Sequence, residues 1–144
     1  MDIIVNDKTK KALRKAGVST LYLFGSRAQG RNGPLSDFDF GVLLNTPKKV
    51  FKSTLDSYHA LYPILAEVIH PETLEADVID IVFLDSPQAP LELKSHIVRH
   101  GKLLFDEDGS RRADFTSRVL LQTADFAPLR REMSAALLHS PAVL

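Results

Sequence analysis

The sequence predicts an α/β (α+β) domain in which a mixed sheet is flanked by helices and followed by a C-terminal helical segment. Three observations carry this. Short apolar runs of strand length alternate with amphipathic helical patterns. The 144 residues suffice for one hydrophobic core but not comfortably for two. Apolar residues make up 44% of the chain and charged residues 25%, the balance of an ordinary folded domain. Eighteen Lys and Arg offset eighteen Asp and Glu, so no overall field favours nucleic acid or an anionic membrane, and direct nucleic-acid binding is not expected. The lack of cysteine excludes disulfides, thiolate metal sites and a cysteine nucleophile. No stretch has the length and apolarity of a membrane span, and residues 1–7 lack the basic flank and apolar core of a secretion signal, so a cytoplasmic protein is expected.

Taken in order, Asn6 or Asp7 can cap a first helix running to about Ala16, with Gly17 at its stop. Thr20–Phe24 reads as a buried strand that turns sharply at Gly25. Phe38–Leu44 is a second apolar strand, near enough in sequence to pair with the first. After Thr46-Pro47, the apolar positions Phe51, Leu55, Tyr58, Tyr62, Leu65 and Ile69 recur at helical spacing, and Pro63 predicts a kink or break near Tyr62. Val78–Leu84 is β-branched and apolar on both sides of the strand except at Asp80, which reads as a central strand with an interrupting carboxylate. A short helix from about Pro90 to His100, a strand Lys102–Phe105 and a turn at residues 106–109 follow. From Ser110 the pattern is helical again, with Pro128 as a kink. Helices are expected mainly on one face of the sheet. Residues 1–108 are read as the principal domain and residues 109–144 as a helical extension packed on it.

The chemistry is concentrated between Gly25 and Asp39. Gly25 lets a strand turn into what looks like a single helical turn, whose backbone N–H groups and Ser26 hydroxyl can face a phosphate. Asp37 and Asp39, two apart at the mouth of a strand, project to one side and can converge on a divalent cation. Asp80 can add a third carboxylate if the strands are adjacent, and burying it unpaired would be costly. Each feature alone reads more simply as turn chemistry or a paired strand Asp; their conjunction favours a site. The loop lacks the Gly-Lys-Ser/Thr ending of a P-loop and the Gly-x-Gly-x-x-Gly of a dinucleotide fold. The ligands that would complete an EF-hand after Asp37-x-Asp39-x-Gly41 are missing. His96 and His100 are four apart but have no intervening glutamate of a His-Glu-x-x-His site; with His59, His70 and His139 they are assigned to the surface.

Gly25-Ser26, ten residues and then Asp37-Phe38-Asp39 resembles the signature of the polymerase-β-like nucleotidyltransferase superfamily. Phe24–Gly30 with Ser36–Val42 is similar to the minimal nucleotidyltransferases, the antitoxins of HEPN/MNT toxin–antitoxin pairs. Ile79–Val82 and Ile97–Phe105 extend the likeness, which covers about residues 18–106. The resemblance implies a polymerase-β-like fold and a magnesium-dependent transfer of AMP from ATP. Asp37 and Asp39 would bridge two Mg2+ ions, Asp80 would complete the second site, Gly25 and Ser26 would hold the triphosphate, and Arg27 would offset its charge or brace the loop against the first helix. Asp77 is a rival to Asp80, on the opposite face of an ideal strand. The implied acceptor is a hydroxyl, a tyrosine, of a HEPN-type RNase toxin. Two alternatives stand beside it: a small-molecule nucleotidyltransferase of the aminoglycoside-modifying type, and an antitoxin that acts by binding alone.

Overall fold

The computed structural model describes residues 3–30, 37–46, 54–69 and 79–139, the last fifteen of these as backbone only. Four helices and four strands run through them in this order: α1 (Asp7–Lys15), β1 (Val18–Phe24), β2 (Phe38–Leu44), α2 (Thr54–Val68), β3 (Ile79–Phe83), α3 (Leu91–His100), β4 (Lys102–Asp106) and α4 (Gly109–His139). Asn6 caps α1, its Oδ1 accepting the Thr9 N–H at 2.8 Å, which satisfies one of the amides a helix start leaves unpaired. Gly17, with φ +86°, turns the chain out of α1 into β1. Gly101, whose N–H returns to the Ile97 carbonyl at 2.7 Å, ends α3 where the sequence predicts.

The strands form one sheet in the order β3-β2-β1-β4. β1 pairs antiparallel with β2 and with β4, whereas β2 and β3 are parallel. The mixed sheet and the adjacency of the strands holding Phe24, Asp39 and Asp80 are as expected. β1, buried at all seven positions, is central. Strand alternation sends Phe38, Phe40 and Val42 to one face, where they pack with Leu13 of α1 and Leu61 and Leu65 of α2. Tyr22, Phe24 and Leu43 go to the other face, against Ile97 of α3 and Phe115 and Val119 of α4.

Three expectations are corrected. Among the described residues helices cover both faces, two on each, because the second face is also apolar once Tyr22, Gly41 and Val82 are aligned on it. β3 is an edge strand of the described sheet and not a central one. It reads as apolar on both sides because helices, and not further strands, lie above and below it. The helix α2 also runs unbroken through Pro63. That residue is exposed, so the backbone bond it forgoes lies on the solvent side, where water replaces it.

The first turn of α4 is tied to the sheet by consecutive arginines. The Arg111 guanidinium donates to both Asp85 carboxylate oxygens at 2.6 Å and to the Leu44 carbonyl at 2.9 Å. Arg112 donates to Asp106 at 2.8 Å. The first pair is mostly shielded from water, with side chains 18% and 11% exposed.

Candidate active site

The site lies where β1 ends and β2 and β3 begin. Asp39 and Asp80 are register partners in the parallel ladder, so their side chains leave the same face about one strand spacing, ~4.8 Å, apart. Their carboxyl groups are close enough for Asp80 to act on Asp39 as a charge and as a hydrogen-bonding neighbour. Asp37 precedes β2 by one residue and is exposed, and its charge reaches Asp39. Burial, then the charges of Asp80 and Asp37, and then the bond to Asp80 raise the Asp39 carboxyl above its ordinary pKa. The desolvated member of the group is Asp39: Asp80 stands exposed on its edge strand, contrary to the expectation that Asp80 would be the buried carboxylate.

Gly25 explains how Asp39 is accommodated. It follows β1 directly, its φ is +77°, and a Cβ placed on it would overlap Asp39 Oδ2. The absent side chain is therefore the notch in which the carboxylate lies. The signal for this is the pairing of Phe24 with Asp39, which follows once β1 and β2 are recognised as antiparallel neighbours.

Ser26 to Gly30 form a turn closed by the Gln29 N–H donating to the Gly25 carbonyl at 3.3 Å, as the single helical turn of the sequence reading. The Arg27 guanidinium lies over the Phe38 ring, 3.8 Å from its centroid, so it braces the loop on β2. Tyr58 of α2 donates to the Ile79 carbonyl at 3.2 Å, buttressing the start of β3; its place on an apolar helical stripe hid this polar role. The His96 and His100 rings lie 5.2 Å apart, tilted by 48° to one another. Asp77 and His70 fall outside the described residues.

Among the described residues, no three His, Asp or Glu side chains are gathered closely enough to enclose an ion as placed. The chemistry of the donors nonetheless suits one. Two carboxylates in contact and a third nearby repel unless a proton or a cation intervenes, and all are hard oxygen ligands.

Residues 7–110 match the family model of polymerase beta nucleotidyltransferases. The chain belongs to the polymerase beta nucleotidyltransferase family. The matched span contains Gly25, Ser26, Arg27, Asp37, Asp39 and Asp80. A curated relative within the reach of this family, the protein adenylyltransferase MntA of Aphanizomenon flos-aquae (strain 2012/KM1/D3), is 34% identical over 115 residues, covering 77% of this chain and 72% of that protein. Solved structures share the nucleotidyltransferase fold. A toxin–antitoxin crystallised with AMP-PNP superposes with a TM-score of 0.60 at 23% identity, over 92% of this chain and 99% of that one. The complex of the tri-AMPylated Shewanella oneidensis HEPN toxin with its MNT antitoxin gives 0.54 at 22% identity, over 92% and 94%. No helix among the described residues is long and apolar enough to cross a membrane.

Proposed function

We propose that this nucleotidyltransferase transfers AMP from magnesium-ATP to a tyrosine hydroxyl of a cognate HEPN-type toxin and thereby acts as its antitoxin in the cytoplasm. The observation that carries the reading is the Asp39–Asp80 carboxyl pair seated against Gly25 at the end of β1. The curated relative, a protein adenylyltransferase, supports the choice of a protein acceptor. The backbone amides of the turn after Gly25, with the Ser26 hydroxyl, face the triphosphate. Arg27, stacked on Phe38, holds that turn in place and adds positive charge beside it. Asp37 and Asp39 would hold two magnesium ions, with Asp80 completing the site nearer the acceptor. Magnesium bound there supplies charge to the oxygens entering and leaving the α-phosphorus. In the balanced step, the acceptor oxygen forms a bond to that phosphorus, the bond to the bridging oxygen breaks, and pyrophosphate departs. Asp80, exposed on the outer strand, is the carboxylate within reach of the hydroxyl proton.

The three aspartates should therefore divide the work. Asp37→Asn and Asp39→Asn should weaken magnesium-ATP binding and transfer together, whereas Asp80→Asn should keep most binding and lose transfer. Calorimetry with ATP, with and without magnesium, and label transfer from α-phosphate-labelled ATP to a co-purified partner measure both. Normal transfer by all three variants would refute the reading.

A further inference from the structure

We infer that the outer edge of β3 reads the acceptor polypeptide: an extended segment adds to this edge as a further strand and presents its hydroxyl to Asp80. This rests on the AMP-transfer reading above. The Leu84 N–H donates to the Val42 carbonyl at 2.9 Å. Successive residues of a strand turn their amide groups alternately toward and away from a neighbour. Asp80 and Val82 therefore face β2 as Leu84 does, and Ile79, Ile81 and Phe83 face outward. Two of the outward carbonyls are taken, that of Ile79 by the Tyr58 hydroxyl at 3.2 Å and that of Phe83 by the Ser86 N–H at 3.0 Å. The N–H and carbonyl of half-buried Ile81 have no partner among the described residues.

Among the described residues, an edge whose two end carbonyls are taken and whose middle residue offers both its groups does not invite indefinite pairing, but it accepts one strand in one register. A residue exchanging both bonds with Ile81 lies opposite it, so the next residue lies opposite Asp80. Cross-strand partners point to the same face with Cβ atoms about 5 Å apart. The hydroxyl residue opposite Asp80 thus emerges beside Asp39 and Asp80, on the carboxylate face. Two positions from it, the segment's side chain lies opposite Val82. There a depression of about 220 Å³ is lined by Ile81, Val82, Ala89, Pro90 and Leu93, with Ser86 and Gln88 also on its wall. Val82 and Leu93 belong to the cluster on the same face as the carboxylates. The occupant is an extended polypeptide with an apolar side chain two residues from its acceptor tyrosine.

The test uses the full chain, α-phosphate-labelled magnesium-ATP and the capped peptide Lys-Leu-Thr-Tyr-Thr-Leu-Lys, which has leucine two residues to either side of the tyrosine. The peptide should be labelled. Its analogue N-methylated at both threonines, which cannot complete the bonds to Ile81, should be labelled at least tenfold less, as should the analogue with both leucines replaced by aspartate. Leu93→Asp and Ile81→Pro should depress labelling of the parent peptide while magnesium-ATP affinity, read by calorimetry, stays that of the unaltered protein. A protein that binds magnesium-ATP but labels the parent and N-methylated peptides equally, or labels neither, overturns the edge-pairing inference and leaves the AMP-transfer reading standing. Failure to bind magnesium-ATP overturns the reading beneath it.

Discussion

Replacing Gly25 with alanine tests the seating of Asp39, because two separable costs meet at that position. The backbone φ of +77° places a side-chain-bearing residue in the left-handed region, at about 1–2 kcal/mol. The added methyl also overlaps Asp39 Oδ2, so the carboxylate must retreat by about 1 Å, a displacement that can cost on the order of 100-fold in rate when it moves a positioned group. Gly30 provides the control. Its φ is +71° with nothing within 4 Å of an added Cβ, so Gly30→Ala carries the backbone cost alone. Denaturant unfolding should find Gly30→Ala destabilised by about 1–2 kcal/mol and Gly25→Ala by at least as much. Label transfer from α-phosphate-labelled ATP should fall about 100-fold for Gly25→Ala and change little for Gly30→Ala. Equal activity losses in the two variants would refute the notch.

Three further outcomes follow from the geometry. Asp39 binds its proton more tightly folded than unfolded, so the stability it contributes is present below the ordinary carboxylate range and lost as pH rises through its raised pKa. Asp39→Asn should therefore raise the metal-free melting temperature at pH 7, and this gain should vanish by about pH 4 in differential scanning fluorimetry; a gain equal at both pH values would place the effect in packing. Arg111→Ala strands a largely shielded Asp85 and frees the Leu44 carbonyl, which should cost roughly 2–4 kcal/mol of unfolding free energy, with partial recovery in Arg111→Met/Asp85→Leu. Arg27→Ala removes the stacking on Phe38 and should cost about 1 kcal/mol; a larger loss of ATP affinity than of stability in calorimetry and unfolding would assign the guanidinium mainly to the phosphates.

What the chain discloses before folding follows from how local each signal is. Phe38–Leu44 is legible to the residue because an apolar run is bounded on both sides by polar and turn residues, and Gly101 marks the end of α3 by the same local rule. β1 begins two residues earlier than its apolar pattern suggests. Ser19 and Thr20 are polar but fully buried, and their groups turn to β4 and its turn: the Ser19 carbonyl takes the Glu107 N–H at 2.7 Å and the Thr20 hydroxyl donates to Asp106 at 3.3 Å. Such partners, more than 80 residues away, leave no local trace. The spacing of Asp37 and Asp39 is visible along the chain. The depth of Asp39 and the exposure of Asp80 depend on register and on a missing methyl, which appear only when three strands are laid side by side. Arg111 and Asp85 lie 26 residues apart with no periodicity linking them.

The two arginines at the root of α4 also have a mechanical meaning. A helix of 31 residues is about 46 Å long at 1.5 Å per residue, so a tilt of roughly 5° at its base sweeps its tip through about 4 Å. Arg111 grips the end of β2 and the turn after β3, while Arg112 grips β4, and the two holds straddle the sheet like the feet of a mast. Aiming precision at the far end of the helix is thus set jointly by two ion pairs in its first turn and by the Phe115 and Val119 contacts just above them.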